Sequence, residues 1–196
     1  MARSTTGTGE TMNIFYLHHN QKLCAEMHND KHCIKMILEY AQLLSTAHRV
    51  LDGTLLVGIS DKGRKSTSWI LPDNRNDILY KATHINHPSA IWCRQSYENY
   101  EWLYTMFIEL MNEYTYRYGK NHACEKLIEP LYTPPTHIPK GIGFTEPTPA
   151  MPDIVKVANN SIASYRNYYI NNKTHLASWR GKVNSRNTPE WFNAVI

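Results

Sequence analysis

The chain has 196 residues, a formal charge of +4 with His neutral, 42% hydrophobic residues and only 19% charged ones. That length supports one compact domain with a sizeable core, and the mild basicity suits a polyanionic partner while falling short of a strong nucleic-acid binder. No apolar run approaches the twenty residues of a membrane span and no secretory pattern opens the chain, so neither a membrane protein nor a secreted one is expected.

Residues 1–11 are small, polar and Gly/Thr-rich, and read as a disordered leader, with Met12 as the start of a single domain over 12–196. Residues 13–17 (NIFYL) form a short apolar run, either a buried strand or an extended segment crossing the core. A polar turn follows, and a helix is expected over about 22–50, ended by Asp52 and Gly53. Its central stretch, 28–49, has no Gly or Pro and is rich in helix formers. At 100° per residue, Met27, Cys33, Ile34, Met36, Ile37, Leu38, Tyr40, Ala41 and Leu44 cover a wide apolar arc. The remaining strip holds His28, His32, Lys35, Glu39, Gln42, Thr46 and Arg49 in one column at spacings of three and four. Such a column is either a solvated face or the lining of a cleft. Its mixture of imidazole, amine, carboxylate, amide and guanidinium favours a cleft over the usual Glu/Lys surface.

Two β-leaning runs, 55–59 and 66–71, flank a turn with Gly63 and predict a hairpin. Lys62, Arg64 and Lys65 place three cations at its tip, either as a solvated turn or as a basic finger for a phosphate backbone. Pro88, with Asn86 or His87 as cap, opens a second long helix over 88–118 that Gly119 ends. Its polar column is Arg94, Glu98, Glu101 and Thr105, which either pairs internally on a wet surface or faces the first column. Seven of the ten prolines lie in 130–152, which excludes helix or central strand there. Ile138, Ile142, Phe144 and Met151 mark this segment as an ordered loop anchored over the domain. A third helix, capped by Ser161, is expected to run to about residue 179, and 189–192 (PEWF) read as a terminal aromatic plug. The fold class expected is mainly α: a single compact helical domain with a small β hairpin and a long Pro-rich wrapping loop.

The chain has no P-loop, no GxGxxG and no GxSxG. His28 and His32 stand at metal-ligand spacing, with His87 or Glu98 as a conceivable third ligand, but HExxH is absent and no metal or other cofactor is expected. Cys24, Cys33, Cys93 and Cys124 form no CxxC pair and read as reduced core thiols of a reducing cytoplasm. The chemistry that remains is amine, imidazole and carboxylate. A half-buried Lys35 between His32 and Glu39 suits amine attack with acid–base help, or is simply a surface lysine.

The phrases KLCAEMHNDKHCIKMILEYAQLLSTAHRVLDG, LYKATHINHPSAIWCRQSYENYEWLY, EYTYRYGK, AMPD, YRNYYI and PEWF resemble a set of small tailed-bacteriophage proteins over nearly the whole chain. The central HPSAIWCRQSYENYEWLY and the closing PEWF are also similar in kind to pyrimidine-dimer DNA glycosylases. That likeness implies a helical base-excision enzyme in which Glu39 or Glu26 stabilises the sugar intermediate. The family's N-terminal Thr amine is absent, so Lys35 or Lys31 would supply the amine, or water would attack. The expectation is therefore a phage enzyme of the host-cell cytoplasm acting on a nucleobase or nucleotide in DNA. Its cleft would hold His28, His32, Lys35, Glu39 and Arg49, joined by His87, Arg94 and Glu98. His32, Lys35 and Glu39 would be catalytic, Arg49 and Arg94 would hold phosphate, and Trp92 would stack on an extruded base. The alternatives are a non-catalytic nucleotide- or nucleic-acid-binding protein that sequesters its ligand, and a virion or host-takeover protein.

Overall fold

The computed structural model describes residues 12–59 and 63–193. Among them are eight α-helices, three short 3-10 turns and one two-stranded antiparallel hairpin, so the molecule is mainly α. The core is built by α1 (Gln21–Met27), α2 (Asp30–Asp52), α4 (Pro88–Gln95) and α5 (Tyr97–Tyr118), with α2 lying against α4 and α5, and α1 against α5.

The two long helices expected from the sequence are each broken once. Asn29 leaves helical geometry and its side chain accepts from the His32 backbone N–H at 2.8 Å, starting α2 afresh. Ser96 does the same for α5, accepting from the Asn99 N–H at 3.1 Å. The first break is held by a fully buried guanidinium. Arg117 donates to the carbonyls of His28 and Glu26, both at 2.9 Å, and pairs with Glu113 at 2.6 Å and Asp30 at 3.0 Å. These are carbonyls that the end of α1 leaves without helical donors. Asp30 in turn accepts from the Ser178 hydroxyl and the Arg180 and Gly181 N–H groups, clipping the C-terminal segment onto the break. Gly119 ends α5 in left-handed geometry, φ 65°, as its position predicts.

Residues 12–17 cross the core as an extended segment with no strand partner, and all six are buried. Side chains satisfy part of its backbone: the Cys24 thiol accepts from the Leu17 N–H and donates to the Phe15 carbonyl, and Arg166 donates to the Leu17 carbonyl. The hairpin pairs β1 (Thr54–Ile59) with β2 (Lys65–Ile70), Val57 opposite Thr67, with Gly63 at φ 70° in the connection. Every residue of β1 is exposed, so the hairpin projects from the body and does not roof the core. Of the expected basic tip, Arg64 and Lys65 are exposed, and Lys62 lies outside the described residues.

A four-residue helix, α3 (Arg75–Ile78), follows the hairpin, and the five-residue α6 (Ile128–Tyr132) follows α5. Pro130 is inside α6, contrary to the proline-based expectation, because it occupies the first turn, where an N–H has no intrahelical acceptor. Beyond it the Pro-rich segment wraps the domain as expected, but on two of its four predicted anchors. Ile138 and Met151 are buried, while Ile142 and Phe144 stay exposed. A polar clamp does the rest: Asn99 donates to Thr145 Oγ1 at 3.0 Å and accepts from its N–H at 2.9 Å, while Trp92 Nε1 donates to the Thr145 carbonyl at 3.0 Å. The third helix, α7 (Ser161–Asn172), is shorter than expected and is capped by Asn160, whose side chain accepts from the Ala163 N–H. Ser161 instead donates to the Pro147 carbonyl. The last helix, α8 (Glu190–Asn193), carries Phe192 into the core against Trp179, with ring centroids 5.2 Å apart. No helix among the described residues is long and apolar enough to cross a membrane.

Candidate functional site

The polar column expected over 28–49, which begins with His28 at the end of α1 and continues along α2, turns inward, and its residues meet different fates. His28 is fully buried. Its Nδ1–H donates to the Cys24 carbonyl at 2.7 Å, which leaves Nε2 to accept from the Tyr40 hydroxyl at 3.2 Å. Burial lowers its pKa to about 4, so it is a neutral core imidazole and not a cleft residue. Arg49 is buried too, and its guanidinium is used up by protein: it donates to the carbonyls of Trp69, Asn76, Leu79 and Tyr80 and to the Asn76 side chain, at 2.6–3.0 Å. It ties the hairpin and the following loop to α2 and has no donor left for a phosphate. Meanwhile Ile34 and Leu38, placed on the apolar arc, are 43% and 40% exposed. The helix is rotated relative to the amphipathic expectation because buried polar partners compensate the polar column.

His32, Lys35 and Glu39 stay together. They line a crevice with Phe15, Tyr168 and Lys173. The His32 ring stacks on Phe15 (centroids 4.2 Å, planes 19° apart), and its Nδ1 lies 2.6 Å from the Tyr169 hydroxyl. Lys35 Nζ is 3.1 Å from Glu39 Oε1. The crevice holds only about 10 Å³ of free space, room for one water at most. Tyr168, however, lines both this crevice and an open depression of about 390 Å³ that contains His87 and Lys156. Lys173, itself 8% exposed, sits 5.2 Å over the Tyr168 ring. Tyr168 is therefore shared by the crevice, with the α2 trio, Lys173 and the parallel Phe15 ring, and by the depression, with His87 and Lys156. His87 also caps α4, its Nδ1 accepting from the Ser89 N–H at 3.2 Å, and burial lowers its pKa.

The remaining predicted residues lie elsewhere. Trp92 is 1% exposed and clamped to Thr145, so it cannot stack on a base. Arg94 is half-buried, with its Nη1 unpaired among the described residues, and it lines neither depression. Glu98 faces a separate cavity of about 690 Å³ beside α5. The two polar columns thus do not converge on one pocket. Among the alternative groups, Glu26 faces Arg186 at 3.4 Å and Lys31 is exposed. No set of three His, Cys, Asp or Glu side chains is gathered to hold a metal among the described residues, and His28 is separated from such a role by its core hydrogen bonds. All four cysteines are free and buried. Burial raises Cys24 to about 11 and Cys33 to about 12, so both are thiols and not thiolate nucleophiles.

Tyr168, Lys173 and Lys156 were not among the predicted site residues. The third helix carries Tyr165, Tyr168 and Tyr169, with Lys173 at its end, but nothing local ties residue 168 to residues 15, 32 and 87. No protein family, curated protein or solved structure matches the chain.

Proposed function

We propose that the protein binds a nucleotide, free or as a unit of single-stranded DNA, across the face centred on Tyr168, without turning it over. The observation that carries this reading is the composition of that face. Tyr168 supplies a flat surface for a base, and Lys173, Lys35 and Lys156 surround it with cations suited to phosphate. Among the described residues Lys156 pairs with the exposed Asp153 at 2.8 Å, an interaction weak enough to exchange for a phosphate. His87, whose Nδ1 already accepts from the Ser89 N–H, offers its Nε2–H as a donor at the rim.

Binding is favoured over a glycosylase or lyase reaction by the room available. A base drawn out of a duplex needs a pocket of its own size, and the crevice at His32, Lys35 and Glu39 has about 10 Å³. Arg49 and Trp92, assigned to phosphate and base in the glycosylase reading, are committed to the fold.

The test is titration of the full chain with a labelled single-stranded oligonucleotide and with nucleoside monophosphates. Tyr168→Leu and Lys156→Ala are each expected to weaken binding by about fivefold or more, with affinity falling as salt rises. No binding at low salt, or binding indifferent to both substitutions, rejects the reading. A borohydride-trapped adduct on an abasic duplex that Lys35→Ala abolishes would return the site to lyase chemistry.

A further inference from the structure

A cavity larger than the Tyr168 depression lies elsewhere in the described structure. It lies along α5, which contributes Tyr97, Glu98, Glu101 and Tyr104, and Tyr132 and Phe144 from the segment that follows α5 also line it, with the Tyr132 ring edge-on to Tyr104 at 6.0 Å. Its volume of about 690 Å³ is within the range of small-ligand sites. Two properties set it apart from the rest of this basic molecule. Its lining contains two carboxylates and no Lys or Arg, and its apolar surface is mostly aromatic.

The carboxylates are not neutralised by the protein. Neither Glu98 nor Glu101 forms an ion pair among the described residues, and Glu98 Oε2 has no solvent exposure and no hydrogen-bond partner there. Glu101 lies against the Tyr97 hydroxyl, a neutral partner. A buried carboxylate oxygen without a donor costs free energy unless something supplies one. The nearest indication of what suits the site is Lys140, whose ammonium stands 6.0 Å over the Tyr97 ring. Tyrosine faces attract cations. A nucleotide is the wrong ligand here, since its phosphates would meet two carboxylates.

We propose that this cavity binds a linear aliphatic polyamine, with one ammonium at Glu98, the next at Glu101, and the methylene chain packed on the aromatic lining of Tyr104, Tyr132 and Phe144. The residues are three apart on a helix, so their Cβ atoms are about 5–6 Å from each other. That spacing suits consecutive ammoniums joined by three or four methylenes, and it leaves a single compact cation able to satisfy only one carboxylate. The site is independent of the Tyr168 face and shares no lining residue with it.

The experiment is calorimetric titration of the full chain with spermidine, with magnesium chloride and 1,4-butanediol as controls for charge without chain and chain without charge. Saturable one-site binding of spermidine is expected, at least tenfold tighter than either control. Glu98→Gln and Glu101→Gln should each weaken it by about tenfold, the scale of a charge-assisted hydrogen bond. Tyr132→Ala removes a side chain from a residue that is 71% exposed, so the fold is spared, and should weaken binding by about threefold to fivefold. Nucleotide binding at Tyr168 should be unchanged in all three variants, which separates failure of this proposal from failure of the other. Absence of spermidine heat, equal response to magnesium, or affinity untouched by both glutamine substitutions in proteins of unchanged melting temperature overturns it.

Discussion

Helices α2 and α5 carry the same kind of sequence pattern, a polar column against a broad apolar arc, and the fold treats them in opposite ways. On α2 the column is drawn inward and used as structure. His28 bridges α1 to Tyr40, and Arg49 gathers four carbonyls from the hairpin and the loop behind it. On α5 the column opens into a cavity, and Glu98 retains a buried oxygen that no donor among the described residues reaches. The difference lies in what stands opposite. A column facing the chain's own carbonyls and hydroxyls is consumed by them, whereas one facing aromatic rings keeps its hydrogen-bonding capacity for something else.

Removing the inward column should therefore damage the fold first. Arg49→Leu strands four carbonyls at the root of the hairpin, and a loss of about 3–5 kcal/mol is expected in denaturant unfolding. Phe107→Ala, at a fully buried position between α5 and its neighbours, should cost a similar ~3–5 kcal/mol. An Arg49→Leu protein of unchanged stability but weakened nucleotide binding would reverse the comparison and return Arg49 to the site.

Acid should act on the same side of the comparison. Burial holds His28 at about 4, and burial followed by the charge of Arg75 holds His48 at about 4. His48 is neutral in a chain in which Arg75 donates to its Nδ1 at 2.9 Å, its Nε2–H donates to the Tyr100 oxygen at 2.8 Å, and the Tyr100 hydroxyl donates to the Leu131 carbonyl. Unfolded histidine takes up its proton near 6.5 and the folded rings only near 4, so the unfolded state binds more protons between those values. Stability should be level above about pH 6.5, fall as pH drops towards 4, and level off for these groups below it. Each ring accounts for about 3 kcal/mol over that window. Asp52 acts lower. Hydrogen bonds from Thr136, Arg75 and His137 overcome burial and hold it at about 2, so its contribution is lost only below about pH 4. A stability profile flat from pH 7 to 4 would show that the two imidazoles are not buried neutral.

The exposed side of α2 offers a smaller test. Leu38 belongs to the apolar arc by sequence but is 40% exposed, so Leu38→Ala should cost no more than about 1 kcal/mol, well under the figure for Phe107. A cost equal to that of Phe107→Ala would place a second layer over this face.

Much of the fold could be read from the sequence because its signals are local. Gly119 past the end of α5, Pro88 at the start of α4 and Gly63 in the hairpin each act through their own backbone geometry. The breaks at Asn29 and Ser96 were missed although both are good caps, because apolar periodicity runs across them; what stabilises the first is Arg117, almost ninety residues away in sequence. The site was legible in part for the same reason. His32, Lys35 and Glu39 share one helix face and stay together. Tyr168 and Lys173 join them only through tertiary packing, and helical spacing could not show that Arg49 meets carbonyls and not solvent.

The smallest expected effect discriminates most sharply between site and scaffold within the inward column itself. Lys35 and Glu39 are an i,i+4 pair at 3.1 Å, with the lysine side chain 34% exposed and the glutamate 11%. Pairs of this kind contribute about 0.3–0.5 kcal/mol, reduced further by solvent at the lysine end. Lys35→Ala should therefore leave the melting temperature nearly unchanged, while removing one of the cations beside Tyr168 and weakening nucleotide binding by a few-fold with a shallower salt dependence. Glu39→Gln should do the opposite to binding, because it removes the anion that competes with phosphate for Lys35. An increase in affinity with little change in stability is the expected result. If both substitutions weaken binding equally, the carboxylate contacts the ligand directly, and a base edge with donors, not a phosphate, sits at this end of the face. If both leave binding untouched while stability falls by more than about 1 kcal/mol, the trio belongs with His28 and Arg49 as scaffold.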